Sequence, residues 1–155
     1  MKACERYLLM LLVGAVLGAL AYDVGVRDVC PKANCVDSAK VEAVVDDQYY
    51  PTAYKVLSGA RDSILISTFE FKYYRAFPES LQNKLVREVI YAKERGVDVK
   101  ILVDEFSTEN NAMALLLANG VDIRYDGNES TTHTKLLIVD GEIVLVGSTN
   151  FSYYG

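Results

Sequence analysis

The sequence has no tryptophan, one histidine, three cysteines and three prolines in 155 residues. Three cysteines are too few for a disulfide-stapled miniprotein. Hydrophobic residues at 51% exclude a disordered or collagen-like chain. The length suits one compact domain rather than two. Basic residues are scarce over most of the chain: residues 36–155 hold 12 Lys/Arg against 18 Asp/Glu, a net charge of −6, whereas residues 1–35 carry +1. A domain at −6 lacks the basic footprint of a high-affinity DNA-binding module. An enzyme with a small local cationic site stays open. No internal repeat is visible.

No apolar run reaches the ~20 residues that cross a bilayer untilted. The nearest is the uncharged stretch YLLMLLVGAVLGALAY at residues 7–22, preceded by Lys2 and Arg6. It suits a signal-peptide core, with Ala19-Leu20-Ala21 as an A-x-A cleavage site. An uncleaved anchor lengthened by Val24, Gly25 and Val26 is the rival reading. Uniform apolarity without a polar face speaks against a buried helix of the domain. The expected organisation is an N-terminal apolar helix at 1–26 (signal peptide or membrane anchor), a linker at 27–40 that holds Pro31, and the domain at 41–155. Either reading puts the domain outside the cytoplasm, exported or membrane-anchored, although Arg27 and Lys32 after the run blur the positive-inside signal. Cys30 and Cys35 can pair in an oxidising compartment, and two unpaired linker thiols are the open alternative. A zinc site would need two further ligands. Cys4 lies before the apolar run and the single histidine is remote, so neither metal nor cofactor is expected.

Within the domain, Val41 to Val45 reads as a strand and Tyr50 to Leu57 as a helix with Pro51 in its first turn. Ser63 to Phe71 is β-branched and aromatic, hence a strand. Leu81, Leu85, Val86, Val89 and Ile90 fall on one face of a helix over Ser80 to Arg95, closed by Gly96. Val97 to Val103 is a strand. A helix capped by Ser107 or Thr108 runs to Ala118 and ends at Gly120, and Val121 to Tyr125 is a strand. Lys135 to Val139 and Glu142 to Val146 flank Asp140-Gly141, a two-residue hairpin signal. The order predicts an α/β fold with a mixed β-sheet sandwiched by helices. Tyrosine pairs at 49–50, 73–74 and 153–154 can stack on a ligand, but half-buried structural tyrosines are the commoner case.

The informative stretch is HTKLLIVDGEIVLVGSTNFS at 133–152. Taken singly, each residue has an ordinary explanation: a surface histidine, a solvated lysine, an aspartate that suits a turn, a Gly-Ser strand end. Together they converge. Alternation along a strand points His133 and Lys135 the same way. The returning strand of the hairpin carries Ser148 and Asn150 to the same end of the sheet. An ammonium, a hydroxyl, an amide and an imidazole in one small volume suit a phosphate, with the imidazole as nucleophile or proton donor.

The pattern His133-x-Lys135-x4-Asp140-x6-Gly147-Ser148-x-Asn150 resembles the HKD motif of the phospholipase D superfamily. Residues 41–155, including the strand VDVKILVDE and the helix ending ANGVDIR, are similar to its small single-motif endonucleases. The anchored mitochondrial cardiolipin hydrolase and nuclease shares the plan of an apolar N-terminal segment and one motif. The resemblance implies a phospholipase D-like fold in which His133 attacks phosphorus to form a phosphohistidine. It further implies that Lys135, Ser148 and Asn150 hold the phosphoryl oxygens and that Asp140 stabilises or orients a histidine, in its own chain or across a subunit boundary. The chemistry uses two histidines and this chain contains one, so the implied unit is a homodimer with both motifs at its two-fold axis. Family chains continue past the GSxN segment through a further strand and helix, so the domain is expected to be short at its C-terminus.

The implied activity is a metal-independent, sequence-nonspecific endonuclease, with nucleic acid as substrate. The acidic domain counts against this unless Lys72, Arg75, Lys84 and Lys135 gather on one face. The alternatives are a membrane-associated hydrolase of phospholipid and a non-catalytic phosphate-binding scaffold.

Overall fold

The computed structural model describes residues 38–107, 110–127 and 130–152. The expected N-terminal apolar helix, Cys30, Cys35 and the 153–154 tyrosine pair lie outside them. The chain divides into units 1–42 and 43–155. In the described part of the first, Lys40 pairs with Glu42 and residues 38–42 are irregular.

The strand expected at Val41 to Val45 does not form. Those residues are exposed and irregular. A strand is stabilised by its ladder, and this segment pairs with no other strand among the described residues. Instead the Val45 N–H donates to the Gln48 side chain across a short 3-10 turn at Asp46–Gln48.

Helix α1 (Tyr49–Ser58) buries Ala53 and Leu57. Helix α2 (Leu81–Glu94) is capped by Ser80, whose Oγ accepts from the Asn83 N–H at 3.3 Å, and it buries Leu85, Val86, Val89 and Ile90 as their spacing predicts. It ends before Gly96, whose φ of +95° suits a residue without Cβ. Helix α3 (Met113–Ala118) is shorter than expected. Polar side chains compete for the backbone ahead of it: the Asp104 carboxylate accepts from the Ser107 N–H, and the Asn110 amide donates to the Asp104 carbonyl. Those bonds build a turn where a first helical turn would otherwise form.

Strands β1 (Ser63–Thr68), β2 (Asp98–Val103), β3 (Asp122–Tyr125), β4 (Lys135–Val139) and β5 (Ile143–Val146) form one sheet in the order β3-β2-β1-β4-β5. β1, β2 and β3 are parallel, with α2 and α3 as crossovers, and β4 and β5 are antiparallel additions. The fold is thus α/β, a mixed sheet flanked by helices. The β4–β5 turn places Asp140 at φ +55° and Gly141 at φ +68°, the type I′ geometry that an Asp-Gly pair favours.

Register sorts the side chains. Ile64, Ile66 and Thr68 stand beside Val99, Ile101 and Val103 on one side and beside Val139, Leu137 and Lys135 on the other. All of these but Lys135 are buried. Burying such an aliphatic side chain contributes roughly 1.5–3 kcal/mol. The alternate residues face away. Leu65, Leu102, Val144 and Val146 are exposed, rimmed by the pairs Lys100–Asp98 and Arg124–Asp122.

Candidate active site

Antiparallel pairing of β4 with β1 sets Lys135 opposite Thr68. The start of β4 therefore lies at the carboxyl ends of the parallel strands, where open α/β sheets hold their ligands. The ladder runs one residue further, with the Phe69 N–H donating to the Thr134 carbonyl at 3.1 Å. The Ser67 and Thr134 hydroxyls share a hydrogen bond of 2.6 Å. Alternation then puts His133 and Lys135 around the same neighbour. The His133 ring is exposed, with its centroid 4.7 Å from that of Phe69. The Lys135 ammonium lies 5.5 Å from the Phe69 centroid and donates to the His133 carbonyl at 3.1 Å. Partial burial holds the Lys135 ammonium below the usual lysine range, and the nearby Glu70 charge opposes that shift. A partly desolvated cation attracts an anion more strongly than a fully hydrated one.

β5 brings the second half of the constellation back. Val146 pairs with Leu136, and the Gly147 N–H donates to the Lys135 carbonyl at 3.2 Å. Ser148, exposed, and Asn150, half-buried, follow at the same end of the sheet. The Asn150 Oδ1 has no hydrogen-bond partner among the described residues. The segment is then pinned. Phe71 bridges Phe151 with their rings edge-on at 4.7 Å, and the Lys72 N–H donates to the Phe151 carbonyl at 2.9 Å. The Tyr50 hydroxyl donates to the Ser152 carbonyl at 2.9 Å. His133, Lys135, Ser148 and Asn150 thus share one end of the sheet, as alternation and the hairpin predict.

Asp140 does not join them. It closes the opposite end of β4, about 17 Å from Lys135 at the rise of a strand. Its carboxylate accepts from the Arg61, Asp62 and Ser63 backbone N–H groups at 2.8–3.2 Å. Those donors hold it below the usual carboxylate range, Ser63 first and Asp62 next. Within its own chain Asp140 is not beside His133: it clamps the entry of β1 to the hairpin.

Three residues that sequence reasoning passed over belong here. Phe69 lies against both the histidine ring and the ammonium, and the Glu70 charge acts on Lys135. Asp104 is fully buried. Its carboxylate joins the segment after β2 to the one before His133, accepting from the Ser107 N–H at 2.8 Å and the Thr132 N–H at 2.7 Å. The available signal was an acidic residue directly after a buried apolar strand, in KILVDE. The cations are spread out: Lys135 stands in the site, Lys72 lies 3.3 Å from Glu70, Arg75 is on the following loop and Lys84 is exposed on α2. Among the described residues no three His, Cys, Asp or Glu side chains come close enough to hold a metal ion.

Comparison with known proteins agrees with this geometry. The family model "Cardiolipin synthase, PLD-like domain" matches residues 54–155. Cardiolipin synthase B of Escherichia coli K12 is 26% identical over 120 residues, covering 68% of this chain and 28% of that protein. The mitochondrial cardiolipin hydrolase of Xenopus tropicalis is 33% identical over 70 residues, 44% of this chain and 33% of that one. The chain therefore spans about a third or less of either relative. The crystal structure of Nuc, a phospholipase D family member from Salmonella typhimurium, superposes with a TM-score of 0.56 at 29% identity, covering 66% of this chain and 64% of Nuc. NucT from Helicobacter pylori shares the fold, with a TM-score of 0.52 at 20% identity. The matched model takes in the whole HKD pattern and every strand of the sheet, and the chain belongs to the phospholipase D superfamily through this PLD-like domain.

Proposed function

We propose that the protein is a metal-independent phosphodiesterase, a sequence-nonspecific endonuclease working through a phosphohistidine in a homodimeric site. The observation that carries this reading is the placement of the His133 ring and the Lys135 ammonium against the same Phe69 ring, where the Gly147 to Asn150 segment returns. A phosphodiester seated there meets one cation and neutral donors from Ser148 and Asn150. A ring nitrogen of His133 attacks phosphorus, the bond to the leaving oxygen breaks, and that oxygen takes a proton from a second imidazole. The same second imidazole then removes a proton from water, whose oxygen attacks phosphorus and frees His133. His133 of the partner subunit supplies that group, since the chain has one histidine. The likeness to Nuc, a phospholipase D family member, at 29% identity supports the phosphodiesterase part of this reading.

The second reading is phospholipid hydrolysis at a membrane, favoured by the names of the cardiolipin-acting relatives. The apolar stretch at 7–22 supports it as anchor or export signal. The test is cleavage of single-stranded DNA and of cardiolipin vesicles by the full chain in EDTA, beside His133→Ala, with sedimentation. A dimer that cuts DNA and loses this in the variant supports the proposal. Cleavage of lipid alone transfers it to the second reading. Phosphate binding without turnover refutes both enzymatic readings and leaves a scaffold.

A further inference from the structure

The loop between β1 and α2 does more than connect them. From Tyr73 to Phe77 it forms, with Asn111, Ala114 and Leu115, a cleft of about 660 Å³. The loop is irregular, yet its backbone is held almost residue by residue. The Gln82 amide donates to the Lys72 carbonyl, and the Asn111 Oδ1 accepts from the Tyr73 N–H. The Asn83 side chain accepts from the Tyr74 N–H and donates to the carbonyls of Tyr74 and Phe77. Arg87 donates to the Pro78 carbonyl. A loop fixed in this way nevertheless leaves Phe77 63% exposed and Arg75 exposed. Arg75 forms no ion pair among the described residues, while the nearby Glu79 is matched to Arg87. The arrangement presents aromatic faces and an uncompensated cation on a rigid frame, which lowers the ordering penalty for a ligand.

The cleft begins beside the phosphate site. Tyr73 is four residues past Phe69, which packs on His133, so it lies within ~14 Å of that residue along the chain. Lys72, next to Tyr73, is hydrogen-bonded to Phe151, next to Asn150. We propose that this cleft is a subsite for an unpaired base of a nucleic-acid strand whose scissile phosphate sits at His133 and Lys135. The inference rests on the nuclease reading and deepens it to single-stranded substrate. Stacking on Phe77 or a tyrosine ring accepts any base, and Arg75 answers the adjoining phosphate. It also reconciles nucleic-acid binding with a net charge of −6 over residues 36–155: holding one strand locally needs a π-face and one or two cations, not a basic surface. An acyl chain would match the apolar walls but leave Arg75 and the Asn111 amide unanswered.

The test uses the full chain carrying His133→Ala, which separates binding from turnover. Fluorescence anisotropy compares an oligothymidylate with the same backbone made abasic. Adding Phe77→Ala or Arg75→Gln is expected to weaken the oligothymidylate about tenfold. Phe77→Ala leaves the abasic strand unchanged. In active protein, Phe77→Ala lowers kcat/KM on the oligothymidylate about tenfold relative to the abasic strand. Equal affinity of Phe77→Ala and its parent for the oligothymidylate overturns the inference. So does loss of binding to cardiolipin vesicles in place of DNA. If the active protein cleaves neither substrate, the nuclease reading fails, and the anisotropy comparison still decides the cleft.

Discussion

Asp104 gives the sharpest test of how the site is held. Its carboxylate is fully buried and receives two backbone N–H groups, from Ser107 and Thr132. Asp104→Ala removes both acceptors and leaves both donors unpaired. Each buried orphan costs about 1–3 kcal/mol, and the half-buried Thr132 lets water replace part of the loss, so the expected total is ~2–4 kcal/mol. For a unit of this size that is a fall in Tm of ~8–16 °C. Asp104→Asn keeps one acceptor and falls between the two. Urea and thermal unfolding read the stability. Turnover is then compared at a temperature where all three proteins are folded. Thr132 directly precedes His133, so kcat is expected to fall at least tenfold in Asp104→Ala even there. A Tm within about 2 °C of wild type, or full turnover in the folded variant, would refute the view that this buried carboxylate positions the histidine.

Lys135→Met is expected to abolish turnover and raise Tm at pH 7, because partial burial disfavours the ammonium. Its pKa is lower in the fold, so the wild-type penalty is present below the folded value and relieved as pH rises toward 10.5. The Tm gap should therefore narrow in alkali, as calorimetry at several pH values would read. Asp140→Asn should lower Tm at neutral pH while kcat in the folded protein survives. The depressed Asp140 pKa contributes stability above its unfolded value near 3.8, lost as pH falls through the folded value. The variant's deficit should thus shrink in acid, and a large kcat loss without a Tm change would restore a direct role in catalysis. Phe71→Ala, at a fully buried ring, should cost about 3–5 kcal/mol in denaturant unfolding and loosen the segment after Asn150.

Helix α2, the parallel strands and the Asp-Gly hairpin were legible because each is written in local periodicity or turn chemistry. The apolar spacing of Leu85, Val86, Val89 and Ile90 survives as burial. Leu81 shares that spacing but is 55% exposed. α3 is shorter than its local sequence suggests because Asp104 and Asn110 take backbone groups that a helix would have used. Val41 to Val45 has the composition of a strand but forms none, because β-propensity cannot act without a partner strand.

The chain order alone determined that a histidine and a lysine alternate into β4 and that a hairpin returns a serine and an asparagine to them. Period-two geometry and a two-residue turn leave little other choice. Tertiary structure decided what no local pattern carries. Asp140 falls within the same motif, yet five residues of strand move it to the far end of the sheet and onto three amides at the entry of β1. Phe69 and Asp104 reach the site from residues up to 64 positions away. The pairing of β1 with both β2 and β4 brings them there, because burial and hydrogen bonding act on distance in space and not on distance along the chain.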